Sequence, residues 1–149
     1  MLTIILLTIA GSIIAAVVGT LWYSNKTPMG RAHMRYLGFD KLTDQEKKQK
    51  MEAGKSMMPK MYALQFVLSL LMSFAVVFVI FESIHNGLPF SVAVAFPIFT
   101  WLCYVVSVVG TNVLWSNCDR ALAWKKFFSD IFYYLVVILL ISLLSGLFA

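Results

Sequence analysis

Charge is scarce in this sequence. Only 13% of its residues are charged, against 60% apolar, where a soluble domain carries about a quarter charged residues. The shortage is local: all twelve Lys and Arg fall within residues 24–60 and 116–126, and long stretches elsewhere carry no charge at all. A water-soluble core does not call for such stretches, but a bilayer does, because a spanning helix takes roughly 20 mostly apolar residues. No polar segment is long enough to build a core of its own, so one domain is expected.

Cysteine and histidine are scarce too. Cys103 lies in an apolar run and Cys118 in a basic loop, a placement that gives neither a disulfide framework nor a metal-ligand spacing. His33 and His85 both lie outside the apolar runs and on opposite sides by topology. They cannot share a metal or a haem, and no histidine is expected at a polar cluster, so no Ser-His-Asp or Cys-His arrangement forms. The sequence therefore assigns no catalytic residue, metal or cofactor. The net charge of +5 is confined to loops and lacks any nucleic-acid-binding motif. It reads as membrane topology and attraction to anionic lipid head groups.

What is there is an all-α pattern: a bundle of four transmembrane helices over about 2–23, 59–81, 91–115 and 127–148, with a basic cytoplasmic loop at 24–58. Lys and Arg on the successive flanks number none, nine, none, three and none. By the positive-inside rule both termini face outward. The first apolar run follows no positive charge and precedes nine, so it reads as a retained anchor rather than a signal peptide. Within the basic loop two short helices are expected. Thr27-Pro28 is a cap followed by proline at the first helical position, with Gly38 as a stop. Thr43 to Glu46 is a capping box, with Glu46 and Lys50 one turn apart as an ion pair. Trp22, Tyr23, Trp115, Trp124, Tyr133 and Tyr134 mark the cytoplasmic interface.

In lipid, helices associate through small residues and interhelical hydrogen bonds. Each span carries a stripe of that kind: Gly11, Ala15 and Gly19 in the first; Tyr62, Gln65, Ser69 and Ser73 in the second; Thr100, Tyr104, Ser107 and Thr111 in the third; Asp130, Tyr134 and Ser145 in the fourth. The small-residue stripe reads as a packing face. Pro97, inside the third span, reads as an ordinary kink. The topology brings the most polar residues to one depth on the cytoplasmic side, giving a candidate ligand or proton site of Asp130, Asn112, Tyr23, Trp22, Tyr134, Gln65 and Thr111. Asp130 is the most informative, since an acid within a span is costly and takes partners. Asn112, Tyr23 and Tyr134 are its expected hydrogen-bond partners. Snorkelling, the positive end of the helix dipole and pairing with Lys126 compete with a functional role.

At these residues the chain resembles a known family. Gly19-Thr20-Leu21-Trp22-Tyr23-Ser24 is similar to its G-x-x-W-Y-S signature, followed here by Gly30 and Gly38. Thr111-Asn112, Asp130 and Tyr133-Tyr134 resemble its other marks. The family is a group of small bacterial and archaeal four-helix membrane proteins catalogued as domain of unknown function seventeen-sixty-one. The resemblance implies fold and membrane location, here a prokaryotic inner membrane, and carries no activity.

The function expected is a non-enzymatic, homo-oligomeric bundle that binds a small amphiphile, ion or partner at its cytoplasmic leaflet. The alternatives are a proton-coupled channel or transporter using Asp130 and, third, a membrane enzyme acting on a lipid.

Overall fold

The computed structural model describes residues 1–117 and 119–149; Cys118, the loop cysteine of the sequence reading, lies outside them. The described residues form helix α1 (Leu2–Trp22), the short α2 (Pro28–Tyr36), a 3-10 turn (Phe39–Lys41), α3 (Asp44–Gly54), α4 (Met58–His85), α5 (Phe90–Thr100), a π-helical turn (Trp101–Val105), α6 (Val106–Leu114) and α7 (Arg120–Gly146). Among the described residues, four helical stretches are long and apolar enough to cross a membrane: α1, α4, the continuous run from α5 to α6, and α7. The protein is a multi-pass membrane protein with an all-α fold. Both chain termini sit at one end of the bundle. The short helices sit at the other, hereafter the basic end.

The helices extend beyond the apolar runs where capping allows. The fourth helix begins at Arg120, well before the expected Phe127, because the Asp119 carboxylate accepts from the Leu122 N–H at 3.0 Å. Such a cap satisfies one of the free amides of a first turn. The polar segment between the first two spans is helical for the same local reasons. Thr27 Oγ1 accepts from the Gly30 N–H at 2.9 Å, with Pro28 at the first position. Gly38, at φ 75°, turns the chain after α2. The capping box forms: Thr43 N–H donates to the Glu46 carboxylate at 2.7 Å, and Glu46 N–H to Thr43 Oγ1 at 3.3 Å. Hydrogen bonds from the Thr43 hydroxyl and backbone hold the Glu46 carboxyl below the ordinary glutamate range. Since Glu46 is spent on that cap, the expected Glu46–Lys50 pair does not form. Lys50 lies over the Phe39 ring at 5.2 Å, and Lys47 pairs with Asp44 at 3.3 Å.

The core is built around α7. Of its apolar window 44% is buried, against 11% for the third span, so α7 is the hub and the third span is peripheral. Ala15, Val77, Ile80, Val137 and Ile141 are buried where α1, α4 and α7 meet, together with Ser12, Ser73, Ser142 and Ser145. Serine is tolerated there partly because its hydroxyl bonds back to its own helix, as Ser12 does to the Thr8 carbonyl at 2.8 Å and Ser145 to that of Ile141 at 2.7 Å. The small-residue face of α1 is used inside the chain. A Cβ at Gly11 would overlap the Ser73 hydroxyl and press on Ile141, so its absence sets the closeness of α1, α4 and α7. Ala15 is buried, and Gly19 lies under Tyr133. A second, smaller cluster of Val113, Ala123, Phe127 and Ile131 holds the third span to α7. Trp101 joins the two clusters and donates its indole N–H to the Ile131 carbonyl at 2.9 Å.

Pro97 is buried inside α5, and the π turn follows it. Proline removes a backbone donor and crowds the carbonyl four residues earlier, and a π turn adds one residue to the helical count. Residues beyond Val105 are therefore rotated relative to a pattern read at constant helical period. Gly11→Leu is expected to lower bundle stability by about 1–3 kcal/mol, the usual cost of overpacking, as read by reversible unfolding in mixed micelles.

The junction at the basic end as a candidate functional site

Two consecutive residues at the end of α1 meet two consecutive residues of α7. The Trp22 indole N–H donates to Ser129 Oγ at 3.1 Å, and the Tyr23 hydroxyl donates to Asp130 Oδ1 at 2.7 Å. The other carboxylate oxygen, Oδ2, accepts from the Lys126 ammonium one turn earlier on α7. Both members of that ion pair are largely buried, at 16% side-chain exposure each. The ammonium also lies 5.6 Å from the Tyr23 ring centroid and 5.8 Å from that of Tyr36. This arrangement lowers the cost of withdrawing a cation from water.

Tyr133 faces the inside of the bundle. It is buried, and its hydroxyl donates to the Ala15 carbonyl at 3.0 Å. The phenol oxygen is satisfied across the α1–α7 contact, so the ring can lie beneath Tyr23, 5.4 Å between centroids. Tyr134 stacks edge-on against it at 5.1 Å.

A tight turn sends the chain from α1 back onto α7. The Thr27 hydroxyl donates to the Trp22 carbonyl at 2.7 Å while it caps α2. Gly30 packs directly on the turn, where a Cβ would overlap the Ser24 carbonyl. Because that obstacle is backbone, it has no rotamer to yield. Together these contacts draw Trp22, Tyr23, Gly30, Asp130 and Tyr133 into one junction, and a single family model spans them, matching residues 6–146.

The chain belongs to the family described as Protein of unknown function (DUF1761). No curated protein and no solved structure matches it. In this DUF1761 chain Trp22, Tyr23, Tyr134 and Asp130 come together, while Gln65, Thr111 and Asn112 do not. Those three are exposed on the outside of the bundle. Asn112 is therefore not a partner of Asp130: its neighbour Val113 faces α7 instead. Nor, among the described residues, does Tyr134 hydrogen-bond to Asp130, whose oxygens are taken by Tyr23 and Lys126. Thr111 bonds to the Ser107 carbonyl of its own helix at 2.9 Å. Gln65 lies on the first turns of α4, where every residue from 58 to 68 is exposed.

One member of the junction was excluded by the sequence reading. His33 packs on Tyr23 at 5.0 Å between ring centroids, with its Nδ1 buried and unpartnered among the described residues. Its signal was present in the spacing of Met29, Ala32, His33 and Tyr36, one face of a short amphipathic helix. The turn before α2 is too short to carry that face away from α7. Burial lowers the His33 pKa, the Lys126 ammonium lowers it further, and the Asp130 carboxylate partly opposes both. Ser129 was likewise missed, since a lone serine beside an aspartate carries no pattern.

Beside the junction a groove of about 490 Å³ opens between the end of α1, α2 and α7. Its walls include Met29, Ala32, Phe128 and Phe132, with Lys125 and Ser129 as polar members. Asp130 is not among its lining residues.

Because the folded protein binds the His33 proton less tightly than the free chain does, α2 docking is complete above the free imidazole range near pKa 6.5. It weakens as pH falls through and below that value. The protection factors of the α2 amides, exchange corrected for the intrinsic rate at each pH, should therefore fall on acidification in the wild type, and His33→Phe should flatten that dependence. An unchanged profile in the variant would assign the effect to another group.

Proposed function

We propose that the protein is a non-enzymatic, oligomeric membrane bundle that binds the acyl chain of an anionic amphiphile in the groove between α1, α2 and α7. The observation that carries this reading is the groove itself. Its volume lies within the ordinary range for small-molecule sites, about 300–1,000 Å³. Its walls are apolar, its polar members are Lys125 and Ser129, and it adjoins a segment in which nine Lys and Arg outnumber four acids over residues 24–60. Positive charge near a bilayer surface favours anionic head groups by about 1 kcal/mol for each Lys or Arg. The positive-inside pattern supports a cytoplasmic basic end with both termini outside, and the resemblance to a bacterial and archaeal family supports an inner-membrane location.

An ion as the ligand is less well supported, because both oxygens of Asp130 are already engaged by Tyr23 and Lys126. The same engagement weighs against the proton-coupled alternative, and Asp130 is separate from the groove. The third alternative, an enzyme on lipid substrates, gains no support from a carboxylate held in this way.

Native mass spectrometry of the detergent-solubilised protein with added phosphatidylglycerol or phosphatidylcholine tests the reading. The wild type should retain phosphatidylglycerol in preference. Ala32→Phe, which fills the groove, should abolish retention of both, and Lys125→Gln should reduce the anionic preference about fivefold, the equivalent of one basic contact. Equal retention by wild type and Ala32→Phe would remove the groove from consideration.

A further inference from the structure

We infer that the outward polar face of the third span and Gln65 of α4 form the surface through which copies of this chain associate. The inference rests on the oligomeric reading above and assigns it a place. The small-residue face of α1 is the obvious candidate for self-association, but Gly11 and Ala15 are buried within the chain. The third span, by contrast, has an unpartnered polar side. Thr100, Tyr104, Ser107 and Thr111 are all exposed, and Tyr104 is 70% exposed near the middle of the stretch Phe90–Leu114. Thr111 satisfies its hydroxyl on its own helix. The side chains of Tyr104, Ser107 and Gln65 have no such partner among the described residues. Hydrocarbon offers them none, and polar groups at that depth turn to protein or to water.

A second copy fits because a membrane fixes depth. Gln65 lies seven residues from the basic-end start of α4 at Met58, and Ser107 lies seven residues from the basic-end finish of α6 at Leu114. At 1.5 Å per residue each is about 10 Å from that end. Copies inserted in the same direction keep every residue at its own level, so Gln65 of one copy meets the Ser107 level of its neighbour without any vertical shift, with Tyr104 about one turn deeper. The amide both donates and accepts, and the hydroxyls do the same. Interhelical hydrogen bonds of this kind hold transmembrane helices together.

The test uses the full chain in membranes, with Cys103→Ser and Cys118→Ser as background. Two differently tagged populations carrying Gln65→Cys and Ser107→Cys are co-expressed and oxidised mildly. Val17→Cys, also exposed, replaces Gln65→Cys as the control. A disulfide joining the two tags, absent from the control, is expected. In nanodiscs, the combined variant Gln65→Leu, Tyr104→Phe and Ser107→Ala should dissociate more readily, by about threefold for each hydrogen bond lost. A single-copy mass for the wild type overturns the oligomeric reading and this inference with it. A multi-copy mass with cross-linking only through Val17→Cys, or with undiminished association of the combined variant, overturns the interface alone.

Discussion

A carboxylate placed among apolar helices must be neutralised where it stands, and Asp130 is neutralised from two directions. Tyr23 brings a hydroxyl from α1 and Lys126 brings an ammonium from the preceding turn of α7. Removing one member of such a buried pair typically costs several kcal/mol, because the other is left without compensation. The rest of the basic end follows from that requirement. Tyr23 can reach Asp130 only if α1 approaches α7 closely, which Gly19 and the Tyr133–Ala15 hydrogen bond permit. The ammonium can be withdrawn from water only with aromatic faces near it, and Tyr36 supplies one only if α2 folds back. The Thr27 cap and the bare Gly30 make that return possible.

The same geometry creates the groove. Once α2 is held against α7 by its His33 and Tyr36 face, Met29 and Ala32 stand across from Phe128 and Phe132 with a gap between them. Binding there and the ion pair are thus separate in chemistry but joined in structure. An occupant would touch Trp22 and Ser129, whose hydrogen bond is next in line to that of Tyr23 and Asp130.

Much of this was legible from residue order. Runs free of charge located the four spans, and the capping pairs Thr27-Pro28 and Thr43–Glu46 located α2 and α3, because those signals are local. Asp130 stood out because an acid in an apolar run has no bland neighbourhood. The illegible parts depend on relative rotation. Thr111 and Asn112 share the depth of Asp130 by topology, but depth does not say which way a helix faces, and the whole stripe of Thr100, Tyr104, Ser107 and Thr111 turns outward. His33 reads as a loop residue because it lies outside the apolar runs, whereas the short link from Trp22 to Pro28 returns it to the bundle against Tyr23. The inward turn of Tyr133 is equally invisible in the sequence, because its hydroxyl is satisfied by the Ala15 carbonyl of another helix.

The Tyr23–Asp130 contact links α1 to α7 across the bundle, and its energy decides whether it holds them together. A double-mutant cycle on Tyr23→Phe and Asp130→Ala, measured by unfolding in mixed micelles, isolates that link from the separate cost of leaving Lys126 unpaired. A coupling of about 1–2 kcal/mol is expected for a hydrogen bond to a carboxylate in this setting. Additive effects of the two substitutions would contradict the account.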